Sequence, residues 1–332
     1  MLFEPTTLAA TAKIIAETLE THYSVDPVPI FAKAGLDISR LSSPGARYPA
    51  RHMQALWRAA VEASQDPCFG LYAGRSIRPS FHALGFSWIA CQSLLGSLQR
   101  LCRYHEVIST IPIILNISEA DDCYEMTIEY PDPHFAPEIA SIDAFVAAII
   151  QLCRAATNSD FAPLSIEFKR SNRCPIDTYI KILGCPVTMG AEHITLRFER
   201  KLLEKPLPGA NIELAQVNDS VVEKYLASRD ANTVAGEVRK LLITDLPSGN
   251  PSQHQIATRM HRSLSTLQRQ LYLEGTSFRK IRDDTRRQLA IEYVRKAKLS
   301  LSQIAYLLGY SDQSNFSRAF RRWTGAPPKE FH

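Results

Sequence analysis

The segment Ile304–Phe320 constrains the fold of this 332-residue chain more than any other stretch. It begins with an apolar stripe at helical spacing, formed by Ile304, Ala305 and Leu308. Gly309 then ends this helix, because glycine adopts the left-handed backbone conformation at little cost. A serine and an aspartate follow and can cap another helix. The segment therefore predicts a short helix, a tight turn and a second helix.

The second helix, capped by Ser311 or Asp312, separates apolar from polar side chains. Its predicted buried face consists of Phe316, Phe320 and Trp323. Its outward face carries amides, hydroxyls and guanidiniums, namely Gln313, Ser314, Asn315, Ser317, Arg318, Arg321 and Arg322. Two short helices joined in this way are typical of a helix-turn-helix that reads DNA.

The same pattern occurs once before, because Ile256 lies 48 residues ahead of Ile304. It again has an apolar stripe, then Ser263, then a helix with Ser265, Gln268 and Arg269 at its outward positions. Between the copies runs a polar, strongly helical stretch, Phe278–Ala297, which would span about 30 Å at about 1.5 Å per residue. One turn of B-DNA is about 34 Å, so the two copies could enter successive major grooves on one face of the duplex.

These stretches resemble the DNA-binding domain of AraC/XylS-type bacterial transcription regulators. The matching segments are Ser265–Leu271, Glu274–Val294 and Leu301–Phe331. The resemblance implies an all-α domain over 234–332, with two helix-turn-helix motifs joined by a linker helix. One departure is visible, since the first turn has His261 where the family pattern has a glycine.

The resemblance and the side-chain chemistry together predict two sets of DNA contacts. Base edges would be read by Ser265, Gln268, Arg269, Gln313, Ser314, Asn315, Ser317 and Arg318, since amides pair with adenine and arginine with guanine. Phosphates would be contacted by Arg262, Arg279, Lys280, Arg286, Arg321 and Arg322, which supplies affinity without sequence information. For any single residue, the alternative is a solvated helix face.

Charge is divided unevenly along the chain. The net charge is +4, but residues 234–332 hold 17 Lys and Arg against 8 Asp and Glu, a net of +9. The first 233 residues hold 21 against 26, a net of −5. A basic end on an acidic body suggests nucleic acid as the partner of one end and a different partner for the other.

The first 226 residues predict an α+β domain, in which a helical lobe precedes a small mixed sheet. Helices are expected at residues 6–22, 50–64, Ala136–Asn158, Ile176–Gly184 and Asn211–Leu226, and strands at Ile111–Ser118, Cys123–Tyr130, Leu164–Lys169, Pro186–Met189 and His193–Phe198. The polar run 227–233 is the predicted interdomain linker.

The stretch from Leu71 to Ser109 resembles the N-terminal, arabinose-binding-like domain of an AraC-type subgroup similar to regulators of amino-acid catabolism. That resemblance implies a domain that binds a small effector and mediates dimerisation. A cluster of aromatic and polar residues is the candidate effector pocket: Phe81, His82, Trp88, Arg103, Tyr104 and His105. Aromatic residues at helical spacing more often belong to an ordinary core, and an arginine such as Arg103 more often lies at the surface.

Several other classes of protein are disfavoured. The chain has no GxSxG, HExxH, P-loop or dinucleotide-binding fingerprint, so we expect neither an enzyme nor a cofactor. Its seven cysteines form no CxxC pair, which predicts free, mostly buried thiols and no metal site. The N-terminal stretch lacks a basic region, and no run of about 18 apolar residues occurs, so we expect a cytoplasmic protein without a membrane contact.

The sequence as a whole therefore predicts a sequence-specific transcription regulator. We expect an activator that works as a homodimer, responds to a small effector of unknown identity, binds promoter half-sites in double-stranded DNA and contacts RNA polymerase. Two alternatives stay open: a dimeric DNA-binding regulator without a ligand, and a DNA-repair alkyl-transfer enzyme that uses one of the cysteines.

Overall fold

A computed structural model describes residues 4–43, 45–79, 83–131, 135–157, 160–171, 174–230, 233–274, 276–296, 299–324 and 327–330. The chain divides into two compact units. The first is Pro5–Leu226, and the second is Ala227–His332 together with Met1–Glu4.

The first unit combines helices with two small sheets. Its helices are α1 (Ala9–Tyr23), α2 (Pro27–Lys33), α3 (Ala50–Ser64), α4 (Phe69–Arg75), α5 (Ala83–Ala90), α6 (Leu94–Tyr104), α7 (Ile139–Thr157), α8 (Ile176–Leu183), α9 (Arg200–Glu204) and α10 (Ile212–Asp230). Its strands are β1 (Thr6–Leu8), β2 (Arg47–Pro49), β3 (Ile114–Ala120), β4 (Cys123–Glu129), β5 (Ser165–Phe168), β6 (Val187–Met189) and β7 (Ile194–Glu199).

The predicted mixed sheet is confirmed, with five strands in the order β3-β4-β7-β5-β6. All neighbouring pairs are antiparallel except β5 and β6, which are parallel. A separate antiparallel pair, β1 with β2, was missed, because residues 6–22 read as one helix. Three residues are too few to show the period of a strand, so long-range pairing with Arg47–Pro49 decides their conformation.

Helix α7 connects the two apolar clusters of the first unit, and α4 crosses it at very short range. A Cβ added at Gly70 would lie 2.2 Å from the carbonyl oxygen of Ala140, and one at Gly74 would lie 2.3 Å from that of Ala144. The two glycines therefore set the distance between the helices. Helix α7 is long and apolar enough to cross a membrane. Half of its apolar stretch is buried within this unit, however, as is usual for the core helix of a folded domain.

One carboxylate lies inside this core, on α7. Asp143 is fully buried and ion-paired with Arg170, and the hydroxyl of Tyr179 donates a hydrogen bond to it at 3.0 Å. Burial raises the pKa of Asp143 to about 6, although Arg170 and Tyr179 both act to lower it. The buried pair therefore links α7 to the chain after β5 and to α8.

Cys68 and Cys174 form a disulfide bond, so the expectation that the cysteines are all free thiols was wrong. The bond joins the N-terminal end of α4 to the residue two positions before α8, across a sequence separation of 106. Spacing alone could not reveal such a pair, because only the tertiary fold brings the two Cα atoms to 5.1 Å. The remaining cysteines are free, and Cys91, Cys153 and Cys185 are buried.

The second unit is helical throughout the part that the structure describes. Its helices are α11 (Val234–Asp245), α12 (Gln253–Arg259), α13 (Leu264–Leu273), α14 (Phe278–Lys296), α15 (Leu301–Leu307) and α16 (Gln313–Thr324). Helix α14 contributes Phe278 and Ile281 to one apolar cluster and Ala290 to the other, so it joins two small cores. Residues 227–230, which begin the predicted linker, continue helix α10.

Candidate nucleic-acid interface and ligand cavity

The two helix-turn-helix motifs begin with the same capping arrangement. Ser252 caps α12 and Ser300 caps α15, and each forms a capping box with a glutamine three residues later, Gln255 or Gln303. Ile256 and Ala257 of α12, and the equivalent Ile304 and Ala305 of α15, are buried. The repeat seen in the sequence is therefore also a repeat of local structure.

Both motifs then turn through one residue in the left-handed conformation. This residue is His261 in the first motif, with φ 53°, and Gly309 in the second, with φ 69°. The N–H of the next residue donates to a carbonyl five residues back, from Arg262 to Ala257 and from Tyr310 to Ala305, both at 3.0 Å. The first turn thus forms without the glycine that the family pattern has there.

The second helix of each motif is capped by a short polar side chain. Ser263 accepts a hydrogen bond from the N–H of Thr266, and Asp312 accepts one from that of Asn315 at 2.8 Å. Hydrogen bonds from Asn315 and Ser311 hold the pKa of Asp312 below its usual value. The inner faces are buried, with Leu267 and Leu271 on α13 and Phe316 and Phe320 on α16. Trp323, which was also predicted on the buried face of α16, is half-buried.

The predicted base-reading residues lie on the outer faces of α13 and α16. Ser265, Gln268, Arg269, Gln313, Ser314 and Arg318 are exposed, and Asn315 and Ser317 are half-buried. Two of them are oriented by neighbours: Arg318 donates to the side-chain oxygen of Asn315 at 2.7 Å, and Gln313 accepts from Ser302 at 2.8 Å. These faces can therefore present donors and acceptors to base edges, with Arg318 held in place before any contact forms.

The predicted phosphate contacts fall into two groups. Arg279, Lys280, Arg321 and Arg322 are exposed. Arg262 is half-buried, donates to the side-chain oxygen of Gln270 at 2.9 Å and lies 3.4 Å from the carboxylate of Glu237. Arg262 is thus part of the internal bonding of the first motif. The other four side chains point into solvent and can reach a duplex backbone, although Arg279 lies 3.9 Å from the carboxylate of Asp283.

Arg286 does not fit its predicted role, and the structure corrects that assignment. The side chain is buried and donates to the carbonyls of Leu308 and Gly309 at 2.8 and 3.0 Å and to the side-chain oxygen of Asn250 at 3.1 Å. Its guanidinium lies over the ring of Tyr310, 4.6 Å from the centroid. Arg286 therefore holds the second turn from inside, where a phosphate cannot reach it.

A cavity of about 190 Å³ lies within the first unit. Its wall comes from α1, α3, α5, α6 and α7 and from the chain around Ser109 and Ile113, and it is predominantly apolar. Trp57 and Trp88 are its largest lining side chains. The helical lobe and the layer next to the sheet thus meet around a space that a small molecule can occupy.

Two of the predicted pocket residues line this cavity, namely Trp88 and His105. Arg103 and Tyr104 do not; both bond to Glu223 of α10, at 3.1 and 2.8 Å. Their assignment to the pocket is corrected, because consecutive residues of a helix cannot all face one side. Phe81 and His82 lie outside the described residues.

The sequence interpretation missed most of the cavity wall. Arg78, just before α5, lines the cavity and is exposed, and Gln54 of α3 and Tyr130 after β4 also contribute. Burial raises the pKa of the Tyr130 phenol. The Arg78 position carries a basic residue next to a proline, but only the fold shows that it borders a cavity.

Two helix-turn-helix motifs with exposed polar faces, built on one connecting helix, define a DNA-binding protein of the tandem helix-turn-helix class. An arabinose-binding domain of AraC transcription regulators, N-terminal, matches residues 25–207, and a helix-turn-helix domain matches residues 256–332. The first match spans more than half of the chain, and the chain belongs to the AraC family of transcription regulators. It is a DNA-binding transcription regulator.

Two curated relatives and one solved structure align with most of this chain. The ornithine utilization regulator of Pseudomonas aeruginosa is 26% identical over 315 residues, which is 94% of this chain and 92% of the relative. The regulator VirS of Mycobacterium tuberculosis is 27% identical over 243 residues, 72% of this chain and 70% of VirS. The crystal structure of the regulator CdpR from P. aeruginosa aligns over 92% of this chain and 96% of CdpR, with 21% identity and a TM-score of 0.42.

Proposed function

We propose that this regulator is a cytoplasmic homodimeric activator, controlled by a small effector that binds in the cavity of the first unit. The cavity carries the proposal, because an apolar space with a few polar groups on its wall is how proteins hold small molecules. In this view residues 1–226 bind the effector and dimerise, 227–233 connect the domains, and 234–332 bind the promoter and contact RNA polymerase.

The DNA-reading role of α13 and α16 rests on their exposed polar faces. Selection of bound sequences from random duplex DNA should yield two preferred blocks about 10 base pairs apart. Arg269→Ala or Arg318→Ala should relax the preference within one block, at a cost of roughly 1–3 kcal/mol. Lys280→Ala is the matched control and should weaken all sequences alike. Selection that enriches no sequence at physiological salt would contradict the proposal.

Dimerisation is assigned to α10, whose two sides differ sharply. One side is anchored to the first unit: Asp219 pairs with Arg100 at 3.0 Å, and Ser87 donates to the same carboxylate at 3.1 Å. The other side exposes an apolar stripe at helical spacing, Leu214, Val217 and Val221, each about half exposed. Such a stripe on a helix anchored by these contacts fits the seam of a two-helix interface with a second copy of the chain.

A short chain of contacts connects the cavity to this stripe. Trp88 lines the cavity, and its neighbour Ser87 bonds to Asp219 of α10. Leu101 lines the cavity from α6, and Arg100 beside it forms the ion pair with the same carboxylate. A ligand that shifts α5 or α6 can thereby shift α10 and change the population of dimers competent to bind DNA.

Sedimentation of the full-length protein tests the dimer. Val217→Asp places a charge on the stripe and should weaken association by roughly 100-fold, because an unpaired carboxylate would be buried at the seam. Gln216→Asp puts the same charge on an exposed neighbour away from the stripe and should leave the association constant unchanged. A Val217→Asp protein that dimerises like the wild type would rule out this seam.

The enzyme alternative finds little support in the thiols. Burial raises the pKa of Cys91, and it raises those of Cys102 and Cys185 to about 11, so little thiolate would form at pH 7. His105 bonds to the backbone carbonyl of Cys102, at 3.2 Å. Mass spectrometry after exposure to alkylated DNA should therefore find these three thiols unmodified.

A further inference from the structure

We propose that the effector of this regulator is an apolar monocarboxylate of roughly a dozen non-hydrogen atoms, with its carboxylate at Arg78 and its body in the cavity. This deepens the proposed function and rests on the cavity being the effector site. Three features of the wall carry the inference: its charge, its unsatisfied donor and its apolar character.

The charge on the cavity wall determines which charge a ligand can carry. Among the described residues that line the cavity, Arg78 carries the only permanent charge, and none is an aspartate or a glutamate. A guanidinium donates to a carboxylate through two parallel hydrogen bonds and cannot accept any. An ammonium group placed in the same cavity would meet no counter-charge and would lose its hydration. The wall therefore favours an anion and disfavours a cation or a diamino acid such as ornithine.

Hydrogen bonding points the same way. Trp88 is buried and lines the cavity, and its indole N–H has no acceptor among the described residues. The side-chain oxygen of Gln54 is already engaged by the N–H of Glu138 at 2.6 Å, so the part of this amide that remains is its N–H donor side. The wall thus has spare donors, and a ligand head that only accepts hydrogen bonds complements them.

The rest of the wall sets the body of the ligand. The remaining wall consists mainly of apolar side chains that cannot form hydrogen bonds, such as Leu84, Leu101, Phe145 and Ile149. A pentose would bury several hydroxyls against such a surface without partners, at a cost for each of them. A cavity of about 190 Å³ admits roughly a dozen atoms, since one water needs about 10–15 Å³ on the same measure. A medium-length alkyl chain or a phenylalkyl group is small enough for this volume and needs no hydrogen-bond partner.

The test is calorimetric titration of the full-length protein with decanoate and 4-phenylbutanoate, below the micellar range. Each acid is compared with the alcohol and the amine of the same skeleton, and ornithine and arabinose are added as polar ligands. We expect at least one acid to bind about ten- to a hundredfold more tightly than its alcohol, because a charge-assisted hydrogen bond is lost in the alcohol. The amines, ornithine and arabinose should not bind.

Three variants distinguish the contribution of the ligand's carboxylate to affinity from that of its apolar part. Arg78→Gln should remove the preference for the acid while the alcohol binds as before. Arg75→Gln removes an exposed arginine of α4 that does not line the cavity, and it should change neither affinity. Ala148→Trp fills the cavity from α7 and should weaken acid and alcohol together.

The two ways of failing are distinct. An alcohol or amine that binds as tightly as its acid, with binding abolished by Ala148→Trp, would overturn the carboxylate and leave the cavity as the effector site. Acid binding that survives Arg78→Gln unchanged would also overturn the assignment of the head group. Absence of binding by every acid, alcohol and amine would overturn both this inference and the cavity as an effector site.

Discussion

His261 and Gly309 occupy corresponding positions in the two turns and share the left-handed backbone conformation, with φ 53° and 69°. For a residue with a Cβ this conformation costs about 1–2 kcal/mol. Replacement by glycine removes that cost, but glycine loses more backbone conformational entropy on folding, so the net gain is smaller. We therefore expect His261→Gly to stabilise the first motif by about 0.5–1 kcal/mol. This stabilisation should be measurable as slower amide hydrogen exchange in α12 and α13.

Gly309→Ala makes the opposite change at the equivalent position of the second turn, and it should be severely destabilising. The new Cβ would lie 2.5 Å from the carbonyl oxygen of Gly249, so the backbone itself would have to move. We expect a loss of at least about 2 kcal/mol, seen as faster exchange in α15 and α16. An alanine variant as protected as the wild type would contradict the turn geometry.

Arg286 and Lys280, on the same helix, should respond in opposite ways to replacement by methionine. Arg286→Met leaves the carbonyls of Leu308 and Gly309 without their donor, which should lower the free energy of unfolding by about 2–3 kcal/mol. Where it is folded, the salt dependence of its DNA binding should match the wild type. Lys280→Met should keep its stability and reduce that salt slope by about 1. A reversed pattern would restore Arg286 as a phosphate contact.

Gly74 should tolerate no side chain, whereas Gly96 should. Gly74→Ala would drive a Cβ to 2.3 Å from the carbonyl of Ala144, and we expect the first unit to lose about 2–3 kcal/mol of stability as α4 and α7 move apart. At Gly96 of α6 the nearest atom is at 3.7 Å, so Gly96→Ala should be neutral or stabilising by up to about 1 kcal/mol. Thermal unfolding of both variants checks the pair.

Asp143 should make stability fall as pH rises from 4 to 7. Its pKa is raised to about 6 in the fold, so the folded state holds this proton more tightly than the unfolded chain, whose pKa is about 3.9. The group's stabilising contribution is complete below the unfolded value and is lost as pH rises through about 6. Asp143→Asn removes this titration. Urea unfolding of both proteins from pH 4 to 7.5 should show the wild type losing stability relative to the variant.

The disulfide between Cys68 and Cys174 should stabilise the first unit, because it closes a long loop in the unfolded chain. Replacing both cysteines by serine should lower the free energy of unfolding by about 2–4 kcal/mol. Both sulfurs belong to buried residues, so a reductant should act slowly on the folded protein. Equal melting temperatures for the oxidised wild type and the double variant would contradict this contribution.

The DNA-binding unit could be predicted from the sequence because its information is local. Caps such as Ser252 and Ser300 and the turn at Gly309 form hydrogen bonds within about five residues. The buried Phe316 and Phe320 pack in one cluster with Ile304 and Leu308 of the same motif. Helical spacing displays such contacts directly in the order of the residues. The same local pattern misassigned Arg286, because a basic residue on a polar helix looks the same in sequence whether it faces solvent or a neighbouring turn.

In the first unit the sequence determined most of the elements, although not the short strands β1 and β2, and the tertiary structure decided the rest. Alternation and helical spacing were enough for the mixed sheet and for α7. The cavity wall collects side chains from Thr7 to Leu152, and the disulfide joins residues 106 positions apart. Which of these groups meet depends on how helices and strands pack over long sequence separations. Periodicity reports only which side of its own element a residue faces, so it carries no record of that packing.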